Sequence, residues 1–176
     1  MRVIPAAIAL LSVFVAASVI TTPAAACGAV IRVTYYESSP DFFRIEFLQG
    51  KGFALDRLSI DMRPSRGSVV IDTPYGNSGP ANGPGISVVA ATGWVSGSQN
   101  FSVRFRNFQA LETFSLQVDL DDRAVGGDHD QDHLNGSEIQ GALAQAELIG
   151  PNGEKLTVAG DFDDKGKARL GNRACA

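Results

Sequence analysis

The chain has 176 residues and a formal net charge of −4, with 15 lysines and arginines against 19 aspartates and glutamates. The basic residues are scattered while the acidic residues cluster, so the sequence lacks the basic patch of a nucleic-acid-binding protein. We therefore expect no nucleic-acid partner.

Residues 1–26 are predicted to form a secretory signal peptide. Arg2 is followed by an apolar run to about Ile20, and the small residues of "TTPAAAC" fit signal-peptidase cleavage after Ala26. A retained membrane anchor and a lipoprotein modified at Cys27 are the alternatives. Cleavage leaves one domain, residues 27–176, with 14 basic and 19 acidic residues (charge −5, since Arg2 is lost). No second apolar run reaches bilayer length, so we expect a secreted or periplasmic protein without membrane contact.

The two cysteines, Cys27 and Cys175, lie at the two ends of this domain. In an oxidising compartment an even pair usually forms a disulfide, and two free thiols are the alternative. In the chain-entropy model, a bond that closes nearly the whole domain contributes on the order of 5 kcal/mol.

Short runs with alternating apolar residues dominate the rest of the chain. In residues 100–108, Phe101, Val103 and Phe105 alternate with polar side chains, and residues 113–120 repeat the pattern. Similar or continuous apolar runs occupy 29–36, 42–48, 58–62, 67–73, 85–91, 155–160 and 167–170. Residues 137–149 fit either a short capped helix or a strand, and their neighbours favour a strand. About nine or ten short strands predict an all-β protein, an antiparallel, jelly-roll-like β-sandwich.

A strongly acidic stretch, residues 118–138, begins in the last of these central strands. It holds seven carboxylates and one cation, Arg123; the carboxylates belong to Asp119, Asp121, Asp122, Asp128, Asp130, Asp132 and Glu138. Such like charges repel one another, and a divalent cation would cancel the repulsion. Calcium accepts about six to eight carboxylate, carbonyl and water oxygens in loose geometry. The seven side chains are therefore candidate calcium ligands, and a solvated acidic turn is the alternative.

This stretch is not an EF-hand. If Asp128 is position one, His133 stands where glycine is required and Ile139 where glutamate is required. The two histidines, His129 and His133, are four residues apart, which makes zinc a weaker alternative. A related acidic motif, "DFDDKG", could complete the same site or form a second one through Asp161, Asp163 and Asp164.

Catalysis receives little support from the sequence. There is no Gly-x-Ser-x-Gly motif, and the carboxylates crowd into one stretch, whereas a glycosidase pair faces across a cleft. Trp94 lies near a strand, where a core position is favoured over a sugar-stacking one. A hydrolase that uses the acidic cluster stays the alternative to a non-enzymatic protein.

Three segments together resemble the aggregation factor core domain: "IDMRPSRGSVVIDT" (60–73), "FRNFQALETFSLQVDLDD" (105–122) and "LNGSEIQGA" (134–142). The resemblance covers about residues 29 to 148. Its most specific motifs match Asp119, Asp121, Asp122, Gly136, Ser137, Glu138, Ile139, Gly141 and Ala142. The family is named after sponge proteoglycan cores that mediate calcium-dependent cell adhesion, and similar domains occur in small exported bacterial proteins. The resemblance implies an extracellular β domain in an adhesive or matrix setting and no catalytic residues.

The sequence thus predicts an exported, non-enzymatic, calcium-binding β-sandwich. Its expected role is adhesion, matrix formation or surface assembly, with a glycan or a surface protein as its partner. The alternatives are the hydrolase and a plain structural domain without a ligand.

Overall fold

The structure is a computed structural model that describes residues 28–38, 40–50, 52–72, 85–121, 134 and 136–171. These residues form antiparallel sheets and contain no α-helix, so the prediction of an all-β antiparallel sandwich is confirmed. The predicted signal peptide lies outside the described residues.

Eleven strands make up the described chain. They are β1 (Val30–Tyr36), β2 (Phe42–Gln49), β3 (Ala54–Asp61), β4 (Val70–Ile71), β5 (Ser87–Thr92), β6 (Asn100–Gln109), β7 (Thr113–Gln117), β8 (Leu120–Asp121), β9 (Leu143–Ile149), β10 (Lys155–Asp161) and β11 (Lys167–Leu170). One sheet has the order β11-β1-β2-β7 and a second has the order β10-β9-β3-β6-β5. A small third sheet pairs β4 with β8.

The two large sheets pack face to face through alternate side chains of their strands. Phenylalanines connect the layers: the ring centroids of Phe43 and Phe101 are 5.9 Å apart, and those of Phe47 and Phe108 are 6.3 Å apart. All four side chains are buried. Since burying one such side chain stabilises the fold by roughly 1.5–3 kcal/mol, this layer accounts for much of the hydrophobic stabilisation.

The ambiguous segment 137–149 divides into a turn and a strand. Residues 136–141 form turns, and only residues 143–149 form the predicted strand. The helix does not form because its carbonyls bond elsewhere: Glu138 accepts from the Gly67 amide at 2.8 Å, and Gln140 accepts from the Arg66 amide at 2.9 Å.

The two ends of the sandwich differ. At one end short connections join the strands, at residues 50–53, 110–112 and 150–154. At the other end lie the two longest connections of the described chain, residues 62–69 and 93–99, together with the small β4–β8 sheet. We call this second end the acidic end, because Asp41, Asp72 and Asp119 lie there.

The first and last described strands are neighbours. Ile31 of β1 lies opposite Leu170 of β11, and a Cβ atom on Gly171 would lie 2.9 Å from the carbonyl oxygen of Ala29. Cys27 and Cys175 both lie outside the described residues, so their disulfide stays a prediction. The antiparallel register does bring the chain close together only a few residues from each cysteine.

Candidate functional site

A buried tyrosine and a buried aspartate organise the acidic end. Tyr35, at the end of β1, is 4 % exposed, and Asp41, just before β2, is 5 % exposed. The Tyr35 hydroxyl lies 2.7 Å from Asp41 Oδ2 and 3.0 Å from the carbonyl oxygen of Leu134. The other carboxylate oxygen, Asp41 Oδ1, accepts a 2.8 Å hydrogen bond from the Ser38 amide. These contacts hold the Asp41 carboxylate in place and tie the β1–β2 connection to the chain at Leu134.

Two backbone hydrogen bonds bring further carboxylates to the same place. The amide of Val118, just after β7, donates to the carbonyl of Asp41 at 2.9 Å. The amide of Asp72, just after β4, donates to the carbonyl of Asp119 at 3.0 Å. Three aspartates from three separate connections are therefore neighbours.

The neighbouring carboxylates shift the pKa values of Asp119 and Tyr35. The pKa of the Asp119 carboxyl is raised, first by its burial and then by the negative charges of Asp41 and Asp72. The pKa of the Tyr35 hydroxyl is raised by burial, by its hydrogen bond to Asp41, and by the charges of Asp41, Glu37 and Asp119. Among the described residues, no lysine or arginine forms an ion pair with Asp41 or Asp119. The acidic end therefore carries concentrated negative charge.

Only three of the seven predicted calcium ligands are described. Asp119 and Asp121 flank the buried Leu120, and Asp121 lies on β8 opposite Val70. Glu138 lies in the turn that bonds to Gly67. The remaining four, Asp122, Asp128, Asp130 and Asp132, lie outside the described residues, as do the candidate zinc ligands His129 and His133.

The described side chains do not form a metal site by themselves. Within the ranges given above, no group of three or more His, Cys, Asp or Glu side chains is arranged to hold an ion. The carboxylate and carbonyl oxygens at the acidic end are the donors that calcium prefers. A complete ligand set would need oxygens from residues 122–133 in addition.

The second acidic motif forms a turn next to the acidic end. Asp163 Oδ1 accepts from the amides of Lys165 at 3.0 Å and Lys167 at 2.8 Å, so this carboxylate shapes the β10–β11 turn. The carbonyl of Gly166 in that turn accepts from the Tyr35 amide at 2.8 Å. Asp163 thus has a local structural role, which the sequence motif does not reveal.

Sequence reasoning did not find Tyr35, Asp41 or Asp72. Asp41 precedes one apolar run and Asp72 lies within another, and no local pattern distinguishes these single carboxylates from surface aspartates. Only the pairing of β1 with β2, and the bond between Asp72 and Asp119, bring them to the acidic stretch.

Trp94 lies at the edge of the core and is only partly buried, whereas the sequence favours a core position. Its ring packs edge to face on Phe101, with centroids 5.1 Å apart, and the side chain is half-buried. Its indole Nε1 is buried and has no hydrogen-bond partner in the described part of the protein.

Comparison with known proteins yields no relative: no family model, no curated protein and no solved structure matches this chain. The resemblance to the aggregation factor core domain therefore stays a prediction. Within the described ranges, no helix is long and apolar enough to cross a membrane.

Proposed function

We propose that this chain is an exported, non-enzymatic β-sandwich module that binds calcium at its acidic end and serves adhesion, matrix formation or surface assembly. The main observation in support is that Asp41, Asp72 and Asp119, from three different connections, lie close together. Asp119 is followed in the sequence by the acidic residues 122–133. A glycan or another surface protein would be the partner.

The charge balance supports this proposal. Asp119 is partly desolvated beside Asp41 and Asp72, and within the described residues no cation pairs with Asp119. A folded protein that keeps carboxylates this close is less stable than one in which a divalent cation neutralises them. Calcium would therefore stabilise the folded state and order the connections that meet there.

Thermal unfolding in millimolar calcium and in chelator tests the proposal. At free calcium about a hundredfold above its dissociation constant, linkage adds about 2.7 kcal/mol, or about 5 to 11 °C in Tm. A variant with Asp128, Asp130 and Asp132 replaced by asparagine should lose this shift. The matched control is Asp56→Asn, which alters an aspartate paired with Arg104 away from the acidic end and should keep the shift. An equal Tm for the wild type in calcium and in chelator contradicts the proposal.

One observation favours the hydrolase alternative: burial and the charges of Asp41 and Asp72 raise the pKa of Asp119, which is the direction of shift that a general acid requires. A hydrolase also needs a cleft. One pocket of about 360 Å³ lies at the opposite end of the sandwich, and its carboxylate, Asp56, is paired with Arg104. Activity on chromogenic glycosides or esters that Asp119→Asn abolishes would favour the hydrolase over the calcium module.

A further inference from the structure

Strand β5 differs from every other described strand in having no buried residue. It is the outermost strand of the five-stranded sheet, next to β6. Residues 89–92 are all exposed, and Val89 is 42 % exposed although it is a large apolar side chain. A strand of this composition normally buries at least one face.

The exposure arises because the two sheets differ in width. Ala91 lies opposite Val103 of β6, and directly opposed residues project from the same face of a sheet. Val103 is completely buried while Ala91 is exposed. The facing sheet has only four strands and ends at β7, whose Phe114 packs against Phe105 of β6 with centroids 5.2 Å apart. Strand β5 therefore extends beyond the layer that would cover it.

The same strand lacks the charges that usually protect a sheet edge. Residues 73–103 contain no aspartate, glutamate, lysine or arginine, although 19 % of the whole chain is charged. Edge strands are commonly protected from pairing with another chain by lysine, proline, inward-pointing charges or a β-bulge. The β-bulge between Val88 and Ala90 affects only the first half of β5, because the pairing with β6 is regular from Ala90 to Thr92.

We propose that β5 is a dimerisation edge, at which a second copy of this chain adds its own β5 in antiparallel orientation. With a two-fold axis at Ala91, each Ala91 faces its counterpart, and Ala90 faces Thr92 of the partner. In this register inward residues oppose inward residues and outward residues oppose outward ones, because Ala90 and Thr92 both lie opposite outward-facing residues of β6. The side chains are small and uncharged, so two acidic chains can approach here without local like-charge repulsion.

A second copy fits this edge better than an unrelated partner. In an isologous two-fold contact the β5 edge of one copy pairs with the β5 edge of the other, so both edges gain a neighbouring strand at once. The strand offers no charge that would select a charged partner. The dimer does not depend on calcium, but it would give an adhesive module two acidic ends and hence bivalent attachment.

Sedimentation velocity from about 5 to about 200 µM, the range in which a small interface dissociates, tests the dimer. Wild type should shift from monomer to dimer equally in calcium and in chelator. Ala91→Lys, which places two like charges at the axis, should stay monomeric over the whole range with an unchanged Tm. Thr157→Lys adds the same charge at an exposed position of β10, the far edge of the sheet, and should still dimerise.

A cysteine at the axis tests the register. In an antiparallel pair opposed Cα atoms are about 4.5–5.5 Å apart, within the range that a disulfide bridges. Mildly oxidised Ala91→Cys should form a covalent dimer whose cross-linked peptide joins residue 91 to residue 91. A wild type that is monomeric at every concentration, an Ala91→Lys dimer, or a cross-link that excludes residue 91 would overturn the proposal. If calcium did not raise Tm, that result would count against the calcium site but not against the dimer.

Discussion

The hydroxyl of Tyr35 and the carboxylate of Asp41 are 2.7 Å apart and both buried, although six residues and a change of strand separate them. The pair joins the end of β1 to the start of β2, and the carbonyl of Leu134 lies 3.0 Å from the same hydroxyl. One side chain of β1 thus ties the β1–β2 connection to the connection that contains Leu134.

Tyr35→Phe should lower the free energy of unfolding by about 1.5–3 kcal/mol near pH 8, the scale of a hydrogen bond to a charged group. The change removes the hydroxyl and leaves Asp41 Oδ2 buried with one partner fewer. Urea denaturation measures the loss. Tyr36→Phe is the matched control, since Tyr36 is 40 % exposed and stacks on Phe42, and it should cost little. Equal losses of stability for both variants would show that the hydrogen bond between Tyr35 and Asp41 does not stabilise the folded state.

At alkaline pH the free energies of unfolding of the wild type and of Tyr35→Phe should become more similar. Burial and Asp41 raise the pKa of Tyr35 in the folded state above its usual value near 10, so the folded protein holds this proton more tightly than the unfolded chain. The stabilisation of the folded state by the protonated Tyr35 hydroxyl is complete below about pH 10. It is lost as pH rises above 10, at up to about 1.4 kcal/mol per pH unit. Denaturation at pH 8 to 11.5 should show a steeper decline for wild type. Parallel pH curves would contradict the raised pKa.

Asp119→Asn should stabilise the protein in chelator at pH 7, by about 1–3 °C in Tm for a partly exposed charge. The pKa of Asp119 is raised in the folded state, so its ionised form opposes folding. This penalty is absent below the usual carboxyl pKa and develops as pH rises through the raised one. The advantage of the asparagine should therefore vanish near about pH 3.

Asp56→Asn serves as the control for that experiment. Asp56 lies 3.0 Å from Arg104, so its replacement should leave Tm at pH 7 unchanged or slightly lower. In calcium the proposed function predicts the opposite change: Asp119→Asn should lower Tm, because the variant loses a candidate calcium ligand. A lower Tm for Asp119→Asn in chelator at pH 7 would mean that the carboxylate repulsion is not significant.

Gly141→Ala should cost clearly more stability than Gly153→Ala. Both glycines have positive φ, +90° and +81°, so the added Cβ strains the backbone equally, by about 1 kcal/mol. At Gly141 the Cβ would also lie 2.8 Å from the carbonyl oxygen of Pro64, whereas at Gly153 nothing lies within 4 Å. We expect about 2–4 kcal/mol for Gly141→Ala, measured by urea denaturation. Equal costs would exclude the close approach of residues 64 and 141.

Period-two alternation predicted most strands, and it failed where hydrogen bonds deviate from the regular ladder. The predicted run 58–62 begins four residues later than β3, because a β-bulge between Leu55 and Arg57 interrupts the alternation. The predicted run 67–73 contributes only the two residues of β4. Ser68 has a φ of 53°, and the amide of Val69 bonds to the Ser65 hydroxyl instead of a strand.

The predicted strand 113–120 divides for a similar reason. Val118 and Leu120 are buried, as the alternation predicts. The Val118 amide still bonds to Asp41 in the β2–β7 register, and the ladder ends at the next residue, where the Asp119 carbonyl accepts from the Asp72 amide instead. The same two bonds bring Asp41 and Asp72 to the acidic stretch. Local charge density could predict Asp119, but its partners depend on the topology of the whole sandwich.

The adjacency of β1 and β11 has a consequence for protein engineering. Because Ile31 faces Leu170 across this strand pair, a short linker could join the end of β11 to the start of β1. New termini could then be opened in the exposed turn at Asn152 and Gly153, which lies at the opposite end from the clustered aspartates. Such a circular permutant should fold, and it would also allow the sandwich to be inserted as a cassette into a surface loop of another protein.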